Sequence, residues 1–391
     1  MAPVGLVLRL RSWRSGVKRY TCTMRAILIT ADVRRGFQQE LPRWFRKHKR
    51  EMPWREQRTP YRVWISELML QQTRVEQARD YFLRFMKRFP SLKALAAAGQ
   101  QDVLKLWEGL GYYSRARRAH QTAQWLVAQC GGKFPQTFEG LLALPGVGPY
   151  TAAAVGSLAF NLDVAVVDGN VARVLCRVFA FGGDPRGGPA KKRLQAWVDA
   201  LLPHGRAGEF NESLMELGAL CCTPRQPDCP HCPLMKSCQG YADGQPENFP
   251  TKAAKKKLPH KIVGAGVIIN RRGELLVARR HEHEMLGGLW EFPGGKQEPG
   301  ETMEQCIARE LKEELGIAVR VGPCVTVVHH AYSHFTIALH AHWCRIARGK
   351  PQRLQCLDID WVPLARLRDK PFSRADLHII AALRGVQAPE F

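Results

Sequence analysis

The sequence predicts a multidomain protein in which an all-α domain precedes an α/β domain, and three observations support that prediction. Residues 75–89 and 191–202 repeat apolar side chains at three- and four-residue spacing, as amphipathic helices do. Residues 242–260 have no such period and contain three prolines, which is typical of an interdomain linker. Beyond them, residues 263–270 and 274–280 are apolar segments separated by an Arg-Arg-Gly turn, which predicts a pair of strands.

The length of 391 residues is enough for two domains, each with its own core. Gly and Pro between the periodic segments divide the first domain, 32–241, into successive helices. The second domain, 261–391, continues with a predicted helix at 302–315 and β-rich stretches at 324–329 and 335–344. This alternation makes the second domain α/β.

Charge distinguishes this chain from an ordinary globular protein. There are 58 Lys and Arg against 35 Asp and Glu, a formal net charge of +23. A chain this basic is attracted to polyanions, so nucleic acid is the expected partner. The alternative is a basic protein whose charge only prevents aggregation. That role does not require so large an excess of basic over acidic residues. The linker adds the lysine run Lys255–Lys257, which we expect to touch the DNA backbone.

Residues 1–31 contain six basic side chains and no acidic one. This composition is similar to that of a transit peptide, and a reading frame that truly starts at Met24 explains it equally well. We treat the segment as a disordered tail. No apolar run in the sequence is long enough to span a bilayer, so we expect no membrane partner.

Twelve cysteines in a chain of this length do not indicate a secreted disulfide scaffold, because such scaffolds are much shorter. Four of them cluster with intervals of six, two and five residues, at Cys222, Cys229, Cys232 and Cys238. Four soft ligands this close together predict a metal centre, and their spacing leaves zinc and an iron–sulfur cluster both open. Cys221, beside the first ligand, is interpreted as a bystander.

Residues 144–152, LPGVGPYTA, predict a turn between two helical segments. Gly146 and Gly148 allow the backbone to turn sharply and to approach a ligand. Pro149 suits the first turn of the following helix, whose free N–H groups would face a phosphate. A plain helix–helix turn is the alternative. In a chain of net charge +23 we favour a contact with the DNA backbone.

Asp168 follows the apolar run 164–167 and precedes a predicted helix at 171–179. A carboxylate at that end of a helix is favoured by the helix dipole and should stay ionised. An ordinary helix cap is the alternative, and spacing alone does not decide between the two.

LPGVGPYTA, followed by VVDGNVARV around Asp168, resembles the helix-hairpin-helix glycosylase superfamily. In that superfamily a lysine just after the hairpin marks enzymes that also cleave the strand through a Schiff base. That position here is Tyr150, which cannot form an imine. The chain is therefore similar to the monofunctional branch, and the long segments 52–73 and 106–117 are similar to its MutY family of adenine DNA glycosylases.

This resemblance implies roles for individual residues. Glu67 is the general acid that protonates adenine N7, and its apolar neighbours would raise its pKa. Without the resemblance, Glu67 would be interpreted as a solvated helix residue. Asp168 stabilises or transiently traps the cationic sugar. Tyr150 and Asn170 surround the flipped base. The residues implied to contact or wedge the duplex near the lesion are Gln71, Gln72 and Tyr112.

The resemblance also implies a [4Fe–4S] cluster on the four cysteines. The implied partner is double-stranded DNA with adenine opposite 8-oxoguanine or guanine, bound by a monomer. The adenine is flipped into a pocket and its N-glycosidic bond is hydrolysed, which leaves an abasic site. Such a protein is expected in the cytoplasm with the nucleoid, or in the nucleus or mitochondria of a eukaryote.

In the second domain the resemblance is to the Nudix hydrolase MutT, and its implied role is to recognise 8-oxoguanine opposite the adenine. Tyr332, Ser333 and His334 match the loop that reads the oxidised base, with Ser333 as the contact. Residues 294–317 depart from the usual MutY pattern, because they form a complete Nudix box.

Within that box Glu310, Glu313 and Glu314 stand at i, i+3 and i+4, so their carboxylates share one helix face. Such a cluster repels itself unless a cation lies among the oxygens, which predicts a Mg²⁺ site. A solvated face on an inherited fold is the alternative.

Two other functions remain open. The Nudix box would supply a pyrophosphatase acting on 8-oxo-dGTP, either as an added activity or as the main one. A DNA-binding scaffold without catalysis is disfavoured, because binding alone does not require both Glu67 and Asp168.

Overall fold

The structure is a computed structural model that describes residues 29–251, 258–386 and 389. The lysine run of the linker and most of the tail predicted at 1–31 lie outside the described residues. The first helix begins at Ala31, inside the segment predicted to be a tail. Among the described residues, no helix is both long enough and apolar enough to cross a membrane.

The domain predicted at 32–241 is helical, as expected for an all-α domain, and a short helical turn at Pro246–Asn248 lies in the segment predicted to be a linker. The α-helices are α1 (Ala31–Arg35), α2 (Leu41–His48), α3 (Pro53–Glu56), α4 (Pro60–Leu70), α5 (Val75–Arg88), α6 (Leu92–Ala96), α7 (Gln100–Trp107), α8 (Ser114–Cys130), α9 (Phe138–Leu142), α10 (Pro149–Phe160), α11 (Gly169–Val178), α12 (Gly188–Leu201), α13 (Ala207–Leu220) and α14 (Gln239–Ala242). A π-helical turn at Gly36–Glu40 joins the first two.

The predicted helices at 75–89 and 191–202 are confirmed by α5 and α12. In α5 the buried residues Ala78, Phe82, Phe85 and Met86 recur at four- and three-residue spacing, so one stripe of the helix faces the interior. The charged residues of α5 lie on its other faces, in contact with solvent.

Two separate cores divide the helical domain. One packs α3 to α8 with α9 and α10 around residues such as Trp64 and Trp107. The other packs Phe37 and Leu41 against α11, α12, α13 and the cysteine loop. Glu67 belongs to α4 of the first core and Asp168 caps α11 of the second. The groove between the cores therefore brings the two carboxyls to one place.

The described part of the second domain consists of two sheets and two α-helices. The strands are β1 (His260–Ile268), β2 (Glu274–Arg279), β3 (Trp290–Glu291), β4 (Gly294–Lys296), β5 (Ala318–Ala331), β6 (Thr336–Arg348) and β7 (Asp358–Pro363); the helices are α15 (Met303–Leu315) and α16 (Arg374–Leu383). The strand orders are β4-β1-β6-β5 and β3-β2-β7. The α/β class is thereby confirmed. The helix predicted at 302–315 is also confirmed, and Thr302 and Gln305 form a capping box at its N-terminus.

The predicted pairing of the first two strands is wrong. β1 pairs with β4 and, in parallel, with β6, whereas β2 pairs with β3 and β7. Next to the turn they are joined by a bridge between Ile269 and Leu275 and by a hydrogen bond from the N–H of Asn270 to the carbonyl of Glu274. Both strands carry consecutive buried residues, so each must be covered on both faces, which a two-stranded hairpin cannot provide. Gly264 and Gly266 of β1 leave room for α15 to pack directly on the sheet.

The two domains are in direct contact through α7, α8 and the loops around 286–290 and 370–373. Leu289 of the second domain is fully buried in the first helical core. Gln101 donates to the carbonyl of Gly288 at 2.9 Å and accepts from the indole of Trp290 at 2.9 Å. The backbone N–H of Phe372 donates to Glu108 at 2.8 Å. These contacts hold the second domain beside the loop that follows α7.

Candidate active site

A cavity of about 200 Å³ lies between the two helical cores. It is lined by the four residues implied to be catalytic, namely Glu67, Tyr150, Asp168 and Asn170. They come from α4, from the first turn of α10 and from the start of α11. Residues that are about 100 positions apart in the sequence therefore face one space.

Glu67 is buried in this cavity, with 5% of its surface exposed. Its neighbours on α4 are apolar, and the hydroxyl of Tyr150 donates to its Oε2 at 2.8 Å. Burial raises the pKa of Glu67 to about 7, and the nearby Asp168 adds to this rise, while the hydrogen bond from Tyr150 opposes it. A carboxyl with this pKa is partly protonated at neutral pH, which is what a general acid requires.

Asp168 is the N-cap of α11. Its Oδ1 accepts from the backbone N–H of Val171 at 2.7 Å, and its Oδ2 accepts from the amide of Asn170 at 3.1 Å. Burial nevertheless raises the pKa of Asp168 above its ordinary value, and these donors oppose the rise. Asp168 accepts from two donors and Glu67 from one, so hydrogen bonding stabilises the anionic form of Asp168 more than that of Glu67.

The wall of the cavity contains an ion-pair cluster that sequence reasoning missed. Arg55 donates to Glu212 at 2.9 Å and to Glu216 at 3.1 Å, and Arg50 donates to Glu216 at 2.9 Å. Arg58 pairs with the other oxygen of Glu212 at 2.6 Å. Glu212 raises and Arg55 lowers the pKa of Glu67. The partners lie more than 150 positions apart in the sequence, so no local spacing could have shown them.

The glycine turn lies between α9 and α10, as predicted. Gly146 has φ +71°, and a Cβ there would stand 2.9 Å from Cβ of Arg118. Gly148 is the N-cap of α10, and a Cβ there would meet nothing within 4 Å. Thr122 donates to the carbonyl of Pro145 at 2.5 Å and fixes the turn on α8. The open side of the turn at Gly148 can thus admit a phosphate.

The residues implied to touch the lesion meet at one point. The hydroxyl of Tyr112 donates to Oε1 of Gln72 at 2.5 Å and is also hydrogen-bonded to Oγ of Ser333 at 2.5 Å. Gln72 has φ +59° and Tyr112 has φ +50°, which are strained values for residues with a side chain. Gln71 lies deeper and donates to Thr151 of α10 at 3.3 Å.

Arg115 supports both strained loops, a role that sequence reasoning missed. Its guanidinium donates to the carbonyl of Gln71 at 2.6 Å and to that of Gly111 at 3.2 Å. It also lies over the rings of Trp107 and Tyr112, at 5.6 and 5.2 Å from their centroids. Because one buried cation holds the two loops, Gln72 and Tyr112 have a fixed separation.

Arg173 connects the turn at Asp168 to the cysteine loop. Its guanidinium donates to Oδ1 of Asn170 at 2.9 Å and to the carbonyl of Cys222 at 2.8 Å. Asn170 in turn donates to Asp168. The side chains of Arg173 and Asn170 therefore connect the backbone of Cys222 to the carboxyl of Asp168.

The four clustered cysteines line one small cavity beside α11 and α13. Arg177, with 2% of its surface exposed, donates to Sγ of Cys222 at 3.3 Å. Among the described residues no cysteine is in a disulfide, and no group of three or more His, Cys, Asp or Glu has the arrangement of a single-ion site. A single zinc would need all four sulfurs about 2.3 Å from one point.

In the Nudix box, Arg309 pairs with Glu310 at 3.0 Å and with Glu313 at 3.3 Å. Glu314 faces the interior, where it accepts from the backbone N–H of Gly294 at 3.0 Å. Burial raises the pKa of Glu314 to about 8. The three carboxylates are not gathered around one point in this part of the structure, so the Mg²⁺ site stays a prediction.

Comparison with known proteins agrees with this organisation. Residues 65–200 match the HhH-GPD superfamily of base excision DNA repair proteins, and residues 264–382 match the NUDIX domain. Two solved structures are similar to parts of the chain. A thermostable thymine-DNA glycosylase has a TM-score of 0.48 and 30% identity over 54% of this chain and 97% of its own. A MutT protein from Methanosarcina mazei Go1 has a TM-score of 0.31 and 23% identity over 34% and 98%.

Curated relatives match both domains at once. The chain is 36% identical over 367 residues to the adenine DNA glycosylase of Mus musculus, which covers 80% of this chain and 71% of the relative. It is 34% identical over 307 residues to the adenine DNA glycosylase of Buchnera aphidicola subsp. Acyrthosiphon pisum, over 78% of this chain and 85% of that one. The chain therefore belongs to the adenine DNA glycosylase family.

Proposed function

We propose that this enzyme hydrolyses the N-glycosidic bond of adenine mispaired with 8-oxoguanine, or with guanine, in double-stranded DNA. The observation that supports this most directly is the pair of carboxyls in one cavity, Glu67 with a pKa of about 7 and the N-cap Asp168. The cavity is concave and lies in the groove between the cores, so a base must leave the duplex to reach it.

Glu67 acts as the general acid in this proposal. Protonation of the flipped adenine turns it into a neutral leaving group, which lowers the barrier to breaking the bond to the sugar. Burial keeps the proton on Glu67 near neutral pH, and Tyr150 holds the carboxyl in a fixed orientation through its 2.8 Å hydrogen bond. After the transfer Glu67 is anionic, and the same hydroxyl stabilises that charge.

Asp168 faces the sugar after the base departs. An oxocarbenium-like sugar is cationic, and a carboxylate held by Val171 and Asn170 is a preorganised negative charge at that point. Water then adds to the sugar and leaves an abasic site. Asn170 and Arg173 act on this step by fixing the orientation of Asp168.

We propose that the reaction stops at the abasic site. Strand cleavage through a Schiff base needs a nucleophilic amine, and the position after the hairpin is Tyr150. The described residues that line the cavity include no lysine.

Recognition of the opposite base is assigned to the cluster of Gln72, Tyr112 and Ser333. Tyr112 is hydrogen-bonded to both Gln72 and Ser333, so residues of both domains meet at this point. Tyr112 is 40% exposed, which leaves its ring free to stack on a base. The protein is proposed to bind the duplex as a monomer, in whichever compartment holds the DNA.

The four cysteines are proposed to hold a [4Fe–4S] cluster. The cavity between the thiols and the hydrogen bond from Arg177 to Cys222 fit such a group. When bound, the cluster supplies a cross-link that fixes the loop at 222–238. The residues of the chain then transmit that rigidity through Cys222, Arg173 and Asn170 to Asp168.

A second activity, Mg²⁺-dependent hydrolysis of 8-oxo-dGTP, remains an alternative proposal for the Nudix box. It is favoured by the placement of Glu310, Glu313 and Glu314 on α15. Binding of Mg²⁺ would require Glu310 and Glu313 to release Arg309. An assay of 8-oxo-dGTP with Mg²⁺ that yields neither pyrophosphate nor monophosphate would exclude it.

The main proposal is tested with a duplex that contains one adenine opposite 8-oxoguanine. We expect a break at the adenine after alkali and none before it. Asp168→Asn should abolish that break, while Glu313→Gln should leave it unchanged. The opposite pattern would assign the main activity to the Nudix domain, and a break without alkali would contradict the argument from Tyr150.

A further inference from the structure

The cavity that the four clustered cysteines line has a fifth cysteine in its wall. Cys221 lies in this lining together with Cys222, Cys229, Cys232 and Cys238. It is 5% exposed, so its thiol faces the interior of the loop. A [4Fe–4S] cluster needs four thiolates. The lining therefore provides one more thiol than such a cluster uses.

Local hydrogen bonds hold Cys221 at the edge of the cysteine loop. The backbone N–H groups of Cys221 and Cys222 both donate to the carbonyl of Leu217 at the end of α13, at 3.0 and 2.8 Å. Sγ of Cys221 donates to the carbonyl of Asp228 at 3.1 Å, and the N–H of Asp228 donates back to Cys221 at 3.0 Å. These hydrogen bonds hold Cys221 beside the segment that contains Cys229 and Cys232.

The thiol of Cys221 interacts directly with that of Cys232. A side-chain hydrogen bond joins the two thiols. Elsewhere in the same core, Cys176 is also buried but does not line the cavity.

We propose that Cys221 is a reserve ligand of the iron–sulfur cluster, able to replace Cys232. This rests on the proposed cluster. In the exchange the bond from iron to the Cys232 sulfur breaks and a bond from the same iron to the Cys221 sulfur forms. The proton leaves Cys221 and is taken up by the released thiolate of Cys232, so no electron is transferred and no further reactant is needed. Cys221, interpreted above as a bystander, thereby gains a function.

The test compares iron content and the visible absorbance of the cluster in purified full-length variants. We expect Cys232→Ala to keep most of the cluster, and the double variant Cys221→Ala/Cys232→Ala to lose it. Cys238→Ala, which has no spare thiol assigned to it, should lose the cluster on its own. Loss from Cys232→Ala as complete as from Cys238→Ala would overturn the proposal, and so would retention in the double variant.

A second measurement avoids variants that fail to fold. With all four ligands in place, Cys221→Ala should release iron to a chelator several-fold faster than the unchanged protein, because a dissociated Cys232 is no longer replaced. Cys176→Ala is the matched control, since it removes a buried thiol from the same core. Equal release from both single variants would contradict the proposal. Absence of the cluster from the unchanged protein would instead refute the proposed cofactor.

Discussion

The hydroxyl of Tyr150 donates a 2.8 Å hydrogen bond to Oε2 of Glu67, the buried carboxyl whose pKa is about 7. Burial raises this pKa and the hydrogen bond lowers it, so the two effects together set the fraction of Glu67 that carries a proton. Tyr150 thus adjusts the pKa of this buried carboxyl.

The pH dependence of adenine release follows from this pair. Only protonated Glu67 can donate, so the single-turnover rate should fall as pH rises through about 7. Glu67→Gln should lower the rate by roughly 10²- to 10⁴-fold and remove this descending limb. Duplex binding, measured separately, should stay close to that of the unchanged protein. A rate that stays constant from pH 6 to pH 9 would contradict the role of Glu67.

Removal of the Tyr150 hydroxyl should shift that profile. Without the hydrogen bond that opposes burial, the pKa of Glu67 rises, so Tyr150→Phe should move the descending limb to higher pH. Tyr61→Phe is the control, because it removes a buried hydroxyl that donates to Phe89 instead. A shift toward lower pH in Tyr150→Phe would show that the hydroxyl does not stabilise the carboxylate.

The buried acid should also make the folded state less stable at high pH. The pKa of Glu67 is about 7 in the folded protein against an ordinary value of 4.5, so folding binds a proton and is penalised above pH 4.5. The penalty grows until pH passes 7, where it is on the order of 3 kcal/mol. Glu67→Gln should therefore raise the free energy of unfolding at pH 8 and change it little at pH 4.5. Denaturant unfolding at pH 8 and at pH 4.5 measures this difference. An equal effect of Glu67→Gln on the free energy of unfolding at the two pH values would refute the prediction.

The link from the cysteine loop to Asp168 should affect chemistry more than binding. Arg173→Gln breaks the bonds to Asn170 and to Cys222. We expect the rate of adenine release to fall on the order of 10-fold, as happens when a supporting partner of a reactive group is removed. Arg186→Gln, which loses only an exposed pair with Asp184, is the control. A pure loss of affinity for the duplex would assign Arg173 to DNA contact instead.

The contact between Tyr112 and Ser333 should contribute to the choice of the opposite base. Tyr112→Phe and Ser333→Ala should each reduce the preference for adenine opposite 8-oxoguanine over adenine opposite guanine, by about 1 kcal/mol or roughly fivefold. Because the hydroxyls are joined at 2.5 Å, the double variant should lose less than the sum of the two. Additive losses would show that the residues act independently.

Much of the fold could be predicted because its signals are local. The spacing of apolar residues in α5 and α12 indicates helices without knowledge of their neighbours. The pairing of β1 with β2 was predicted wrongly because a short turn between apolar segments is compatible with either one sheet or two. Whether β1 and β2 share a sheet depends on the burial of both faces of each strand. That burial comes from α15 and from strands far along the chain.

Some residues of the candidate site could likewise be predicted from the sequence, whereas others could not. Motif resemblance led to Glu67, Asp168, Tyr150 and Asn170, and the structure brings all four to one cavity. Arg115 and the pair of Arg55 with Glu212 gave no signal in the sequence, since their partners lie in other helices. Cys221 was visible in the sequence, but its neighbour Cys232 could be known only from the folded loop.

The sequence by itself determined the two domain classes, the chemical types at the site and the four-cysteine spacing, because each depends on residues close together in the chain. Only the tertiary structure decided how much charge Glu67 carries, since its pKa depends on burial and on Tyr150 and Asp168. It also decided that Ser333 meets Tyr112 across the domain contact. Electrostatic and hydrogen-bond energies depend on distance in space, and the fold sets those distances.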